Sequence, residues 1–141
     1  MKLRARTRRG FYFIFWTLFA TGSAIWFFDR WVRVPGAFGE EHSSAQPWIA
    51  RAHTLSAYGM MVVFGYLLHS HVRPGLKGKR SKPSGISMIS VFAILAASSL
   101  PVLYAGEGAT RNVSSWLHIY LGLSIPLFLA AHLYGRAKNE S

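Results

Sequence analysis

The sequence predicts an all-α fold: an integral membrane four-helix bundle with both termini on the cytoplasmic side. Three observations carry this. The 141 residues are 51% hydrophobic and 15% aromatic, yet hold a formal net charge of +11, a combination awkward for a small soluble domain. Four apolar stretches, Phe11 to Phe28, Ala52 to Val72, Gly85 to Tyr104 and Val113 to Tyr134, each approach the ~20 residues that cross a bilayer core. Basic residues also cluster on alternate connections, as they do when short cytoplasmic loops collect Lys and Arg. The whole chain, 1–141, then reads as one transmembrane domain with helices near 11–30, 48–72, 84–105 and 111–136. What lies outside them leaves no room for a soluble domain of typical size.

Helix one opens with "RTRRGFYFIFWTLFATGSAIWFF". Its apolar part is longer than the ~7 to 15 residues of a signal-peptide core, and no A-x-A-like cleavage site follows. The segment therefore reads as an uncleaved first helix rather than an export signal, twin-arginine or otherwise. The connection "DRWVRVPGAFGEEHSSAQPW" from Asp29 to Trp48 carries Pro and Gly breakers and reads as an outer loop able to cover one end of the bundle.

Helix two is "RAHTLSAYGMMVVFGYLLHSH", and the polar turn "RPGLKGKRSKPSG" leads to helix three, for which Ser84 is the expected N-cap. The short "AGEGATRN" makes helices three and four antiparallel neighbours. There is no low-complexity segment and no clear internal repeat. Helices two and four nonetheless share a layout, with His near the start, Gly inside and His near the end.

Lys2, Arg4, Arg6, Arg8 and Arg9 precede helix one; Arg73, Lys77, Lys79, Arg80 and Lys82 follow helix two; Arg136 and Lys138 follow helix four. The opposite connections hold Arg30, Arg33, Arg51 and Arg111 with the acids Asp29, Glu40, Glu41 and Glu107. With an inside amino terminus, helices two and four run in the same direction, so their first histidines share a depth and so do their last. Because the basic clusters border hydrophobic spans, anionic lipid explains them and no nucleic-acid partner is expected.

His118 and His132 are 14 residues apart, about 21 Å along an ideal helix and roughly 40° apart in azimuth. His53 and His71 are 18 residues apart, about five full turns and one face. His69 sits about 160° from His53, which favours His71 as the inner partner, with His69 the alternative. The spacing on helix two, about 27 Å, exceeds that on helix four, about 21 Å, so relative tilt or irregular winding is required.

Two imidazole pairs result, His53 with His118 and His71 with His132. A neutral imidazole is a good axial ligand for haem iron, and two of them give a six-coordinate centre suited to electron transfer. Gly122 lies near the ligand face of helix four, and Gly59 and Gly65 thin helix two, which would let a porphyrin approach or serve helix packing. Histidines at helix ends also act as interfacial anchors. Ionisable groups placed inside membranes mark function, and four at matched depths on two parallel helices fit haem better. A proton or metal relay would want polar groups midway between His53 and His69, where only Ser56, Tyr58 and Tyr66 occur. With no cysteine, disulfides, iron–sulfur clusters and c-type haem attachment are excluded.

The stretches "RAHTLSAYGMMVVFGYLLHSHVRPG" and "SWLHIYLGLSIPLFLAAHLYGR" resemble the bis-histidine dihaem b-type cytochromes that serve as membrane subunits of bacterial respiratory oxidoreductases. From Ala52 to Arg136, with "KPSG" opening helix three and "LYAGEGATR" closing it, the chain is similar to a small four-helix cytochrome b group. The resemblance implies His53, His71, His118 and His132 as axial ligands of two haem b groups. It also implies electron transfer across a bacterial inner membrane between the quinone pool and a partner redox protein.

Arg51 and Arg111 beside the outer histidines are candidate propionate contacts, and so are Arg73 and Arg136 beside the inner ones, where topology marking explains them equally. Trp48 and Trp116 would stack on the outer haem or belong to an aromatic belt. His42 with Glu40 and Glu41 reads as a solvated loop cluster, Glu107 as a weak acid candidate, and Pro101 and Pro126 as kinks. No phosphate loop, Ser-His-Asp order or H-E-x-x-H motif occurs. The expectation is thus an electron-transfer subunit of a larger complex rather than a stand-alone enzyme, with a c-type cytochrome as one candidate partner. The alternative is a haem-free membrane anchor or assembly subunit.

Overall fold

A computed structural model describes residues 5–77 and 82–138; Lys2, Arg4, Lys79 and Arg80 of the basic clusters lie outside them. In chain order the elements are α1 (Ala5–Trp31), β1 (Arg33–Gly36), β2 (Gly39–His42) and α2 (Gln46–Leu67). A π turn over Leu68–Val72 follows, then α3 (Arg73–Lys77), α4 (Lys82–Tyr104) and α5 (Ala109–Lys138). The chain divides within the π turn into two compact units, Met1–His71 and Val72–Ser141.

In the first unit α1 packs on α2. α1 starts earlier than the apolar run, at Ala5, because Arg6, Arg8 and Arg9 are good helix formers whose long stems cover apolar surface. Its aromatic side chains stack on one another: Phe15 and Trp16 meet edge to face at 5.2 Å, and Trp26 and Trp31 at 4.9 Å, arrangements favoured by the ring quadrupole. Phe15, with Met60 and Leu67 of α2, forms the buried core, while Phe13, Trp16 and Phe27 are exposed, as suits a helix with lipid on its outer side.

The connection after α1 is not the irregular loop expected from its breakers but a β-hairpin. Arg33 pairs with His42, Val34 with Glu41, Pro35 with Glu40 and Gly36 with Gly39. Gly39 has φ +123°, which other residues rarely adopt, and a Cβ at Gly36 would collide with the Glu41 side chain. The hairpin is tied to the end of α1 at Asp29, whose carboxylate lies 3.4 Å from Arg33 Nη2 and 3.6 Å from His42 Nδ1.

α2 begins with Pro47 in its first turn, where the missing N–H costs nothing. At Leu68 the backbone remains right-handed helical, with φ −55° and ψ −44°, and the helix widens instead of stopping. Two local features favour irregular winding here. Ser70 donates its hydroxyl back to the Tyr66 carbonyl at 2.8 Å, a bond that bends helices, and the ring of Pro74 crowds the carbonyl four residues before it.

In the second unit α4 packs on α5 through Val91, Ile125 and Leu129, with Ser98 buried among them. Both helices run through their internal prolines, Pro101 and Pro126. Gly108, at φ +150°, starts α5 and accepts from the Asn112 amide at 3.1 Å. Ser84 is not an N-cap: α4 already begins at Lys82, with Pro83 supplying the pre-set φ of a first turn.

Three helices are long and apolar enough to cross a membrane: Ala5–Trp31, Pro83–Tyr104 and Ala109–Gly135. α2 (Gln46–Leu67) is not among them.

Candidate functional site

His53 projects from α2 onto α1. Its Nδ1 lies 3.2 Å from the Leu18 carbonyl and 3.1 Å from Thr21 Oγ1. The Thr21 hydroxyl donates to the carbonyls of Thr17 at 2.7 Å and Leu18 at 3.1 Å. A carbonyl can only accept, so Nδ1 carries the proton and donates it to Leu18, with the threonine oxygen as second acceptor. Nε2 then holds the lone pair. The ring lies so close to α1 that a Cβ on Gly22 would stand 2.9 Å from its Cε1 and 3.3 Å from its Nδ1.

The second unit repeats this arrangement. His118, on α5, has Nδ1 at 3.1 Å from the Leu95 carbonyl and 3.0 Å from Ser98 Oγ, and the Ser98 hydroxyl donates to the same Leu95 carbonyl at 3.1 Å. Both hairpins therefore present Leu-x-x-(Thr/Ser) on the first helix to a histidine on the second: Leu18 and Thr21 to His53, Leu95 and Ser98 to His118. Each histidine is fixed as the Nδ1–H tautomer.

The inner histidines are held differently. His132 Nδ1 lies 3.4 Å from Ser84 Oγ, and Gly135, one turn on, would bring a Cβ to 3.8 Å from the same oxygen. His69 and His71 both fall in the π turn, His71 half-buried and His69 exposed. A π turn closes its hydrogen bonds over five residues rather than four, so each residue turns the chain through less than the α-helical angle. The 18-residue face arithmetic between His53 and His71 assumes regular winding, which this segment does not have.

Of the other candidates, Arg51 lies over the Trp48 ring at 4.6 Å from its centroid, a cation–π contact, while Arg111 and Arg73 are exposed. Trp116 stacks on Tyr120 at 5.6 Å. Gly59 faces α1, where a Cβ would meet Ile14 at 3.6 Å, an ordinary packing distance. At Gly65 and Gly122 a Cβ would meet nothing within 4 Å. Glu40, Glu41 and His42 lie on exposed β2, and Glu107 is exposed between α4 and α5.

Sequence reasoning missed Leu18, Thr21, Gly22, Leu95 and Ser98. The only signal available was the recurrence of a hydroxyl residue three positions after a leucine on the helix preceding each outer histidine. Among the described residues no group of three or more His, Asp and Glu side chains gathers as a metal cluster. No protein-family model, curated protein or solved structure matches the chain.

The donor set suits an axial haem ligand. Metal-ligating histidines typically donate the other ring N–H to a carbonyl or carboxylate, which fixes the tautomer and the ring plane, and His53 and His118 both do so.

Proposed function

We propose that the chain is a membrane cytochrome b subunit carrying two b-type haems, which passes electrons across a bacterial inner membrane between quinone and a partner redox protein. His53 and His71 in the first unit and His118 and His132 in the second would be the iron ligands. When bound, haem supplies one-electron chemistry, and ligation on both faces leaves no open position for oxygen.

The observation that supports this reading most is the tautomer. Both histidines are held through Nδ1 by a backbone carbonyl and a hydroxyl, which leaves Nε2 as the nitrogen that would meet a metal. The residues of the chain would thus supply ligands already oriented. Four spans, cytoplasmic termini and an outer hairpin available to a periplasmic partner such as a c-type cytochrome complete the proposal, on the strength of the basic-residue asymmetry.

The same hydrogen bonds clip α1 to α2 and α4 to α5, and this favours a second reading, a haem-free anchor subunit of a larger complex. An absorption spectrum of the purified, dithionite-reduced protein decides between them. The haem reading expects b-type bands from two haems per chain, with His53→Ala and His118→Ala each removing one. A spectrum without b-type bands would falsify it.

A further inference from the structure

We infer that Thr21 and Ser98 are positioning residues for the outer histidines, acting on the basicity of the ligand as well as on its orientation; the inference rests on the dihaem reading. Each hydroxyl lies at the same place in its hairpin, three residues after the leucine whose carbonyl receives the imidazole N–H. Each lies within hydrogen-bond distance of the same ring nitrogen, 3.1 Å for Thr21 and 3.0 Å for Ser98. Each also donates to that leucine carbonyl at 3.1 Å, so the oxygen has only its lone pairs to turn toward the imidazole. The N–H is therefore shared between two acceptors. A doubly accepted Nδ1–H gives the ring more imidazolate character and makes Nε2 the stronger donor.

This arrangement recurs in two hairpins whose sequences otherwise differ. Helix packing alone asks only for a small residue at positions 21 and 98, whereas the two positions share a hydroxyl and its offset from the accepting carbonyl. A stronger donor favours the ferric state, so each hydroxyl holds the midpoint potential of its haem down.

The test uses the full-length purified protein and the variants Thr21→Val, Ser98→Ala, Thr21→Ser and Ser98→Thr, with haem stoichiometry, redox titration and 15N-histidine NMR of the reduced, diamagnetic state. Thr21→Val and Ser98→Ala are expected to keep both haems and to shift one midpoint positive while the other stays in place. The hydroxyl-retaining variants should restore the wild-type value. The NMR spectrum should show Nδ1–H at His53 and His118.

Midpoints unmoved in Thr21→Val and Ser98→Ala, or an Nε2–H tautomer at either ring, overturn the inference. A wild-type protein without haem removes the dihaem reading and this inference with it, whereas two haems with unmoved midpoints overturn the inference alone.

Discussion

Gly22→Ala is the sharpest test of how His53 is held. The new Cβ would stand 2.9 Å from His53 Cε1, whereas ordinary contact begins at 3.4 Å. The ring must withdraw from α1 by about 0.5 Å, and because Leu18 lies one turn below Gly22 on the same face, that movement also lengthens the bond to its carbonyl. From 3.2 Å, already at the long end of the N–H···O range, the separation grows to about 3.7 Å and the bond is lost. The lost bond costs about 0.5–1.5 kcal/mol and the crowding about 1–3 kcal/mol, against a gain of up to about 1 kcal/mol from alanine's helix propensity. A net loss of roughly 1–3 kcal/mol corresponds to a fall in melting temperature of about 3–10 °C. The assay is thermal unfolding in detergent followed by circular dichroism, with Gly10→Ala as control, since a Cβ there meets nothing within 4 Å. A Gly22→Ala protein that melts at or above the Gly10→Ala control refutes the close approach of His53 to α1.

Three further outcomes are expected. His71→Ala should remove one haem and leave the other, whereas His69→Ala should retain two, as counted by haem stoichiometry; the reverse result would make His69 the inner ligand. As the chain has no cysteine, a membrane-impermeant maleimide applied to spheroplasts should label Ser44→Cys at once, and Gly75→Cys only after permeabilisation. Equal labelling of both would defeat the proposed topology. Asp29→Asn removes the carboxylate shared by Arg33 and His42, but these groups are exposed, so the loss in stability should stay below about 1 kcal/mol; a larger fall in melting temperature would mean that the hairpin is held chiefly by this carboxylate.

The long helices were legible because length and apolar content survive small errors of boundary. The hairpin was not. Its strands, "RVPG" and "GEEH", are exposed along nearly their whole length, so they carry no alternating apolar face for a period of two to reveal, and the turn depends on one glycine at positive φ. The π turn was hidden for a different reason: azimuths counted at a fixed angle per residue assume regular winding, and only Ser70 and Pro74 hinted otherwise. The histidines themselves were plain in the sequence, but their partners were not. A leucine contributes its carbonyl regardless of its side chain, and a serine or threonine in an apolar helix reads as a packing residue, so only the recurrence of the spacing at Leu18 and Thr21 marked Leu95 and Ser98.

What separates a ligating histidine from one that merely clips two helices is how the second ring nitrogen is treated. A helix clip needs one hydrogen bond, and interhelical bonds between side chains in membranes are worth only about 0.6 kcal/mol on average. A serine or glutamine would supply that with less polar area to bury. At His53 and His118 the chain instead commits the proton to Nδ1 twice over, by carbonyl and by hydroxyl, which makes Nε2 the acceptor nitrogen of a neutral ring. A metal on Nε2, as proposed, would use that acceptor, and the hydrogen bonds that fix the ring would then serve both packing and ligation.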